Sequence, residues 1–236
     1  MGILSKIKPL QNAIVDFIFP KSCLICFNTI EENSKSKFVC EKCFYNFVAA
    51  DDSNEIIDRL FETYHPDDIA VSEAFSLYKI HENDFLQIIH AMKYENLFKI
   101  GYEFGQILGE KIKKQTNSQY DFIIPIPLHS AKKRERGYNQ SYYIAKGVSQ
   151  VLHCPVNEKM AFRKVYTKSQ TKLSLQERHQ NIEEIYSIID NESLIKNLTL
   201  LIVDDVFTTG STINNLALKL LEAGVRKIDC ATLGVA

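Results

Sequence analysis

Apolar residues recur at two different periods along this chain. Phe85, Ile88, Ile89 and Met92 fall on one helical face, and Ile100, Phe104, Ile107, Leu108 and Ile112 fall on another, the spacing of helices that lie on a sheet. Three runs follow a different rule. Asp121 to Pro127, Leu198 to Asp204 and Lys227 to Val235 are short, rich in β-branched residues and bounded by polar or turn residues, which predicts buried strands. Helical segments around Ile144 to Leu152 and Ile213 to Glu222 lie between them. Such alternation predicts an α/β fold with a mostly parallel central sheet flanked by helices. Near the start, Ile3, Leu4, Ile7, Leu10, Ile14, Phe17 and Ile18 keep helical spacing. They predict an amphipathic helix, kinked near Pro9, that packs on the body or lies on a membrane surface.

Asp51, Asp52, Glu55, Asp58, Asp67 and Asp68 surround Pro66 and mark a change of composition. It divides the chain into an N-terminal helix with a cysteine module at 1–50, a linker at 51–70 and a main domain at 71–236. With 45% hydrophobic and 24% charged residues, the chain has the material for a real core. A net charge of -1 argues against bulk electrostatic binding of nucleic acid, which needs an excess of cations, so any such contact must use a local patch. Lys6, Lys8, Pro9, Asn12 and Asp16 break up the apolar start. No run therefore reaches the roughly 20 residues of a spanning helix. The segment leads through Phe19 and Pro20 into a cysteine pair rather than to a small-residue cleavage site. A cytoplasmic protein with no membrane span is expected.

Cys23-x-x-Cys26 and Cys40-x-x-Cys43, with Cys154 and Cys230 apart from them, suit a metal better than a disulfide framework. Two residues between ligands let one turn present both thiolates to a tetrahedral ion. A structural Zn2+ is expected, although the same ligands could hold iron, and a pair of redox dithiols is the competing reading. Phe27 and Asn28 stand where such knuckles often carry glycine.

The run from Leu200 to Thr212 is a buried strand ending in Asp204 and Asp205, then Val206, Phe207, Thr208, Thr209, Gly210, Ser211 and Thr212. A helix start at Thr209 to Thr212 offers free amides and the positive end of the helix dipole to a phosphate. Two carboxylates at the strand's carboxyl end can accept hydrogen bonds from vicinal ribose hydroxyls. A plain turn with an N-cap is the alternative, but adjacent acids straight after four apolar residues are costly unless something pairs with them. No Gly-Lys-Ser/Thr closes the segment, which excludes a Walker-type loop.

This run resembles the phosphoribosyl-pyrophosphate motif of type I phosphoribosyltransferases, and the whole chain resembles the ComF family of competence proteins. The likeness extends over the paired cysteines, Pro125-Ile126-Pro127-Leu128, Arg134-Glu135-Arg136-Gly137-Tyr138-Asn139-Gln140-Ser141, Thr167-x-x-Gln170-x-x-Leu173 and Glu177-Arg178-x-x-Asn181. It implies that Asp204 and Asp205 bind the ribose hydroxyls, that Thr208, Thr209, Gly210, Ser211 and Thr212 cradle the 5′-phosphate, and that Pro125, Ile126, Pro127 and Leu128 lie under the pyrophosphate. It also implies Mg2+ on the ligand's oxygens, a role in DNA uptake and a competence helicase as partner. A small hood is expected from segments near 74 to 80 and 162 to 190.

Lys132, Lys133, Arg134 and Arg136, ending in Gly137, read either as a mobile loop that closes over pyrophosphate or as a solvated charged loop. Thr208 stands where many purine-salvage relatives place an aspartate base, so no catalytic residue is assigned. Three functions stay open: a ligand-binding competence protein, a nucleobase or amine phosphoribosyltransferase, and a non-catalytic single-stranded DNA adaptor. For the last, residues 159 to 180 hold Lys159, Arg163, Lys164, Lys168, Lys172 and Arg178 against Glu177, with Phe162, Tyr166 and His179 interleaved, as stacking surfaces for single strands are.

Overall fold

A computed structural model describes residues 22–51, 54–80, 84–94, 97–164, 185–188 and 195–236. The expected N-terminal helix, the Thr167 and Glu177 blocks and most of the basic segment 159 to 180 lie outside them.

Four strands form the central sheet in the order β1 (Ala74–Lys79), β6 (Lys227–Val235), β5 (Thr199–Phe207) and β2 (Phe122–Pro125), each neighbouring pair parallel. Alternate residues of β5 feed two cores. Leu201 and Val203 face one layer of helices, while Leu200 and Ile202 face the other, as expected of a parallel sheet covered on both sides. The segment near 74 to 80, expected in the hood, is instead an edge strand of this sheet, in register from Ala74 opposite Cys230 to Lys79 opposite Val235. Ala74, Phe75, Ser76 and Leu77 are all buried, so the strand has no polar face to give it away. Outside the sheet, β3 (Ala161–Arg163) and β4 (Tyr186–Ile188) form a two-stranded antiparallel ribbon.

On one face lie α3 (Phe85–Tyr94), α4 (Phe98–Gln115) and α6 (Gln140–Leu152); α7 (Ser211–Glu222) lies on the other. A short α5 (Ser130–Arg136) precedes α6. Helices α4 and α6 cross at backbone contact. A Cβ on Gly105 would sit 2.3 Å from the Ile144 oxygen, and one on Gly147 would sit 2.1 Å from that of Tyr102.

The cysteine module, with α1 (Glu41–Tyr45), docks on β1 and α4. The Ala50 amide donates to the Leu77 oxygen and the Lys79 amide to that of Val48, each at 2.9 Å. Phe47 packs 5.0 Å from the Phe85 ring, and Glu103 of α4 accepts the Lys37 amide at 3.0 and 3.2 Å. At the opposite margin Pro155 to Asn157 bonds both sides of Ile123 in β2, again at 2.9 Å. Residues 51 to 70, read from sequence as a linker, hold α2 (Asn54–Thr63), whose Ile56 and Leu60 are buried in the second core.

Candidate functional site

Strand β2 stops at Pro125, opposite Val203 of β5. Strand β5 runs on through Asp204 to Phe207 with β6 as its partner, and this stagger leaves the acidic pair at an open strand end where ligands of α/β sheets collect. Each acid is held by the start of α6. Ser141 Oγ donates to Asp204 Oδ1 at 2.8 Å, and the Asp205 amide donates to the same oxygen at 2.9 Å. Gln140 Nε2 donates to Asp205 Oδ2 at 2.9 Å, and Lys93 Nζ of α3 stands 3.1 Å from that oxygen. Asp205 is buried and Asp204 half-buried. Burial, and then the Asp205 carboxylate, push the pKa of Asp204 up to about 7. The Gln140 Oε1 is buried and finds no hydrogen-bond partner among the described residues, a state that costs about 1–3 kcal/mol until a donor arrives.

Just downstream, Gly210 caps α7 from a left-handed conformation, φ 73, without a side-chain cap; the Ser211 amide faces Thr209 Oγ1 at 3.4 Å, and the positive end of the helix dipole there suits an anion. Only glycine fits here, since a Cβ would lie 2.5 Å from both Leu60 Cδ2 and Phe207 Cζ. Thr208, Thr209 and Thr212 are exposed, and Ser211 is half-buried. The supposed linker thus supplies, through Leu60, the floor of this loop. It is tied there by Asn214 of α7, which accepts the Ala70 amide at 2.9 Å and donates to the Asp68 oxygen at 2.8 Å.

Pro125, Ile126, Pro127 and Leu128 form the turn after β2. The Ile126 amide bonds the Val203 oxygen at 2.9 Å, and its own oxygen accepts Asn139 Nδ2 at 3.0 Å. Lys133, Arg134 and Arg136, expected in an irregular loop, lie on the helical turn of α5. The His129 ring accepts the Ala131 amide at its start, and Gly137, φ 77, ends it. Such capping at both ends is what makes so short a helix possible. Tyr138 then donates to the Met92 oxygen. Nothing in the local sequence pattern marks Lys93, Gln140 and Ser141 as partners of the acids, and only the family resemblance singles out the Asn-Gln-Ser block.

The ligand atoms of Cys23, Cys26, Cys40 and Cys43 all lie within 4.8 Å of one another, and the Cys26 and Cys40 sulfurs are 3.6 Å apart. A tetrahedral ion with bonds of about 2.3 Å spaces its sulfurs by about 3.8 Å, so the cluster fits a four-thiolate metal. Phe27 takes the left-handed conformation, φ 60, that glycine would adopt without strain, and the Ile25 amide faces Cys23 Sγ at 3.4 Å.

The parallel sheet, the acids at its open strand end and the glycine-capped helix define a phosphoribosyltransferase-like α/β domain. Residues 139–234 match the family model described as "Phosphoribosyl transferase domain". The chain is 30% identical to competence protein F of Haemophilus influenzae over 60% of its own length and 64% of that protein's. It is 29% identical to the DNA utilization protein YhgH of Escherichia coli K12, over 62% and 66%, and 26% identical to the competence protein ComFC of Bacillus subtilis, over 60% and 56%. It therefore spans less than two thirds of the length of these relatives. The chain is thus similar to competence and DNA utilization proteins over a region that includes a phosphoribosyltransferase domain. Among solved structures, the glutamine phosphoribosylpyrophosphate amidotransferase of B. subtilis is 16% identical, with a TM-score of 0.40 over 56% of this chain and 26% of that one. No helix among the described residues is long and apolar enough to cross a membrane.

Proposed function

We propose that this chain binds phosphoribosyl pyrophosphate at the carboxyl end of β5 and serves DNA uptake in natural competence. The observation that carries the reading is the acidic pair, fixed by Ser141 and Gln140 directly before the glycine-capped start of a helix. Asp204 and Asp205 accept the ribose hydroxyls, Thr208 to Thr212 hold the 5′-phosphate, and Pro125 to Leu128 back the pyrophosphate. Mg2+ on the ligand's oxygens supplies charge neutralisation. Lys133, Arg134 and Arg136 sit on the helix that follows. With Thr208 in place of a base, the reading is of a ligand holder first. Cys23, Cys26, Cys40 and Cys43 hold a structural Zn2+.

Calorimetric titration tests the reading. Wild type binds the Mg2+ complex, whereas Asp204→Asn with Asp205→Asn loses at least about a hundredfold in affinity. Binding that survives the double change refutes it. Metal analysis should find zinc stoichiometric with the chain. Single-stranded DNA is the second proposed partner, with a competence helicase beside it. It is favoured by Phe162, 49% exposed beside Lys159, Arg163 and Lys164. Removing these charges should weaken oligonucleotide binding and flatten its salt dependence, and the Asp204/Asp205 change should leave it intact.

A further inference from the structure

The acidic pair has a neighbour that none of the motifs marks, the last turn of α3. Lys93 reaches from this turn to Asp205 Oδ2 at 3.1 Å, with 21% of its side chain exposed against 8% for the aspartate. Its flanking residues are tied to the polypeptide around the basic stretch. The Met92 oxygen accepts the Tyr138 hydroxyl, and the Arg136 guanidinium lies 5.3 Å from the centre of the Tyr94 ring. The turn that carries the ammonium is thus held both to the acidic pair and to the polypeptide around Gly137.

We propose that Lys93 is a ligand-binding residue of this pocket, a cation that pairs with Asp205 in the structure and passes to the anionic diphosphate oxygens of a sugar ligand as the sugar hydroxyls engage Asp205. The inference rests on the phosphoribosyl reading above and adds to it a residue and a selectivity.

Three features carry it. Both partners of the ion pair are largely withdrawn from water, so neither charge can be left alone without a large penalty. A diol that takes Asp205 must therefore arrive with an anion for the ammonium, and a compact charge on a flexible four-carbon stem can follow that anion. Gln140 supplies the complementary signal. Its Nε2 is engaged by the same Asp205 oxygen, while its buried Oε1 lacks a donor among the described residues. A sugar hydroxyl is such a donor. The site is built for a molecule with hydroxyl donors close to a second negative group, and it discriminates against the same sugar phosphate without the diphosphate.

Titration of the full-length, metal-loaded chain with two probes tests this. The probes are phosphoribosyl pyrophosphate with Mg2+, and ribose 5-phosphate. Lys93→Gln should weaken the first about 30-fold or more and the second less than about threefold, and Lys93→Arg should recover most of the loss. Equal losses for both probes would reduce Lys93 to a structural partner of Asp205, and undiminished binding of the first would remove it from the pocket; either result overturns the proposal. Should Lys93→Gln fail to fold, Lys93→Met, which keeps the apolar stem, carries the same comparison. Wild type that binds neither probe brings down the phosphoribosyl reading itself, together with the role of Lys93. Wild type that binds while Lys93→Gln binds equally brings down the role of Lys93 alone.

Discussion

At Asp204, burial and the adjoining Asp205 carboxylate raise the pKa to about 7 from an ordinary 3.8, so the folded chain favours the protonated acid. The sign of the effect on stability follows. Between these two values the native state holds a proton that the unfolded chain has released, and stability falls as pH rises. Above about 7 the loss is complete and constant, and below about 4 it vanishes. Asp204→Asn removes it, because an amide oxygen still accepts from Ser141 and from the Asp205 amide. The variant should melt about 3–8 °C higher than wild type at pH 8 and level with it near pH 4. Melting curves across this range check the claim, and a gain of equal size at both ends would contradict it. The ionised acid is thus held at a cost to the fold.

Among the secondary structures, the crossing of α4 and α6 makes the sharpest forecast. Gly105→Ala pushes a methyl group into the Ile144 carbonyl, a backbone atom that cannot yield, whereas Gly101→Ala meets the Met92 sulfur at 3.1 Å, the end of a flexible side chain. The first should cost about 2–4 kcal/mol in urea unfolding and the second less than about 1 kcal/mol. Helical faces such as Ile100, Phe104, Leu108 and Ile112 were legible because their period survives in the sequence, and the strand Lys227 to Val235 because it is a short run with β-branched residues bounded by polar or turn residues. Strand β1 was not, since burial on both faces erases alternation. Nor was α2, whose Ile56 and Leu60, one turn apart, were masked by the acids around them. The acidic strand end and the glycine turn of the site were readable as a local run. Lys93 was not, because it comes from a helix far away in the chain and meets Asp205 only once the sheet is assembled.

Taken whole, the molecule joins its cysteine module to the larger domain through a single shared core. Cys23, Val39, Cys43 and Phe47 belong to the same cluster as Phe75, Leu77, Phe85 and Phe104. Removing the metal with a chelator should therefore lower the melting temperature by about 10 °C or more in one calorimetric transition. An early separate peak, with the main one unmoved, would mean that the module melts alone. The same docking closes a frontier. Val48 to Ala50 occupies the free side of β1, and Pro155 to Asn157 occupies that of β2, so neither rim presents a ready template for a strand from another molecule. Among the described residues, pairing of two copies through this sheet would first have to peel away one of these short clasps, and at the β1 rim that clasp follows directly on the helix that carries Cys43 of the four-cysteine cluster.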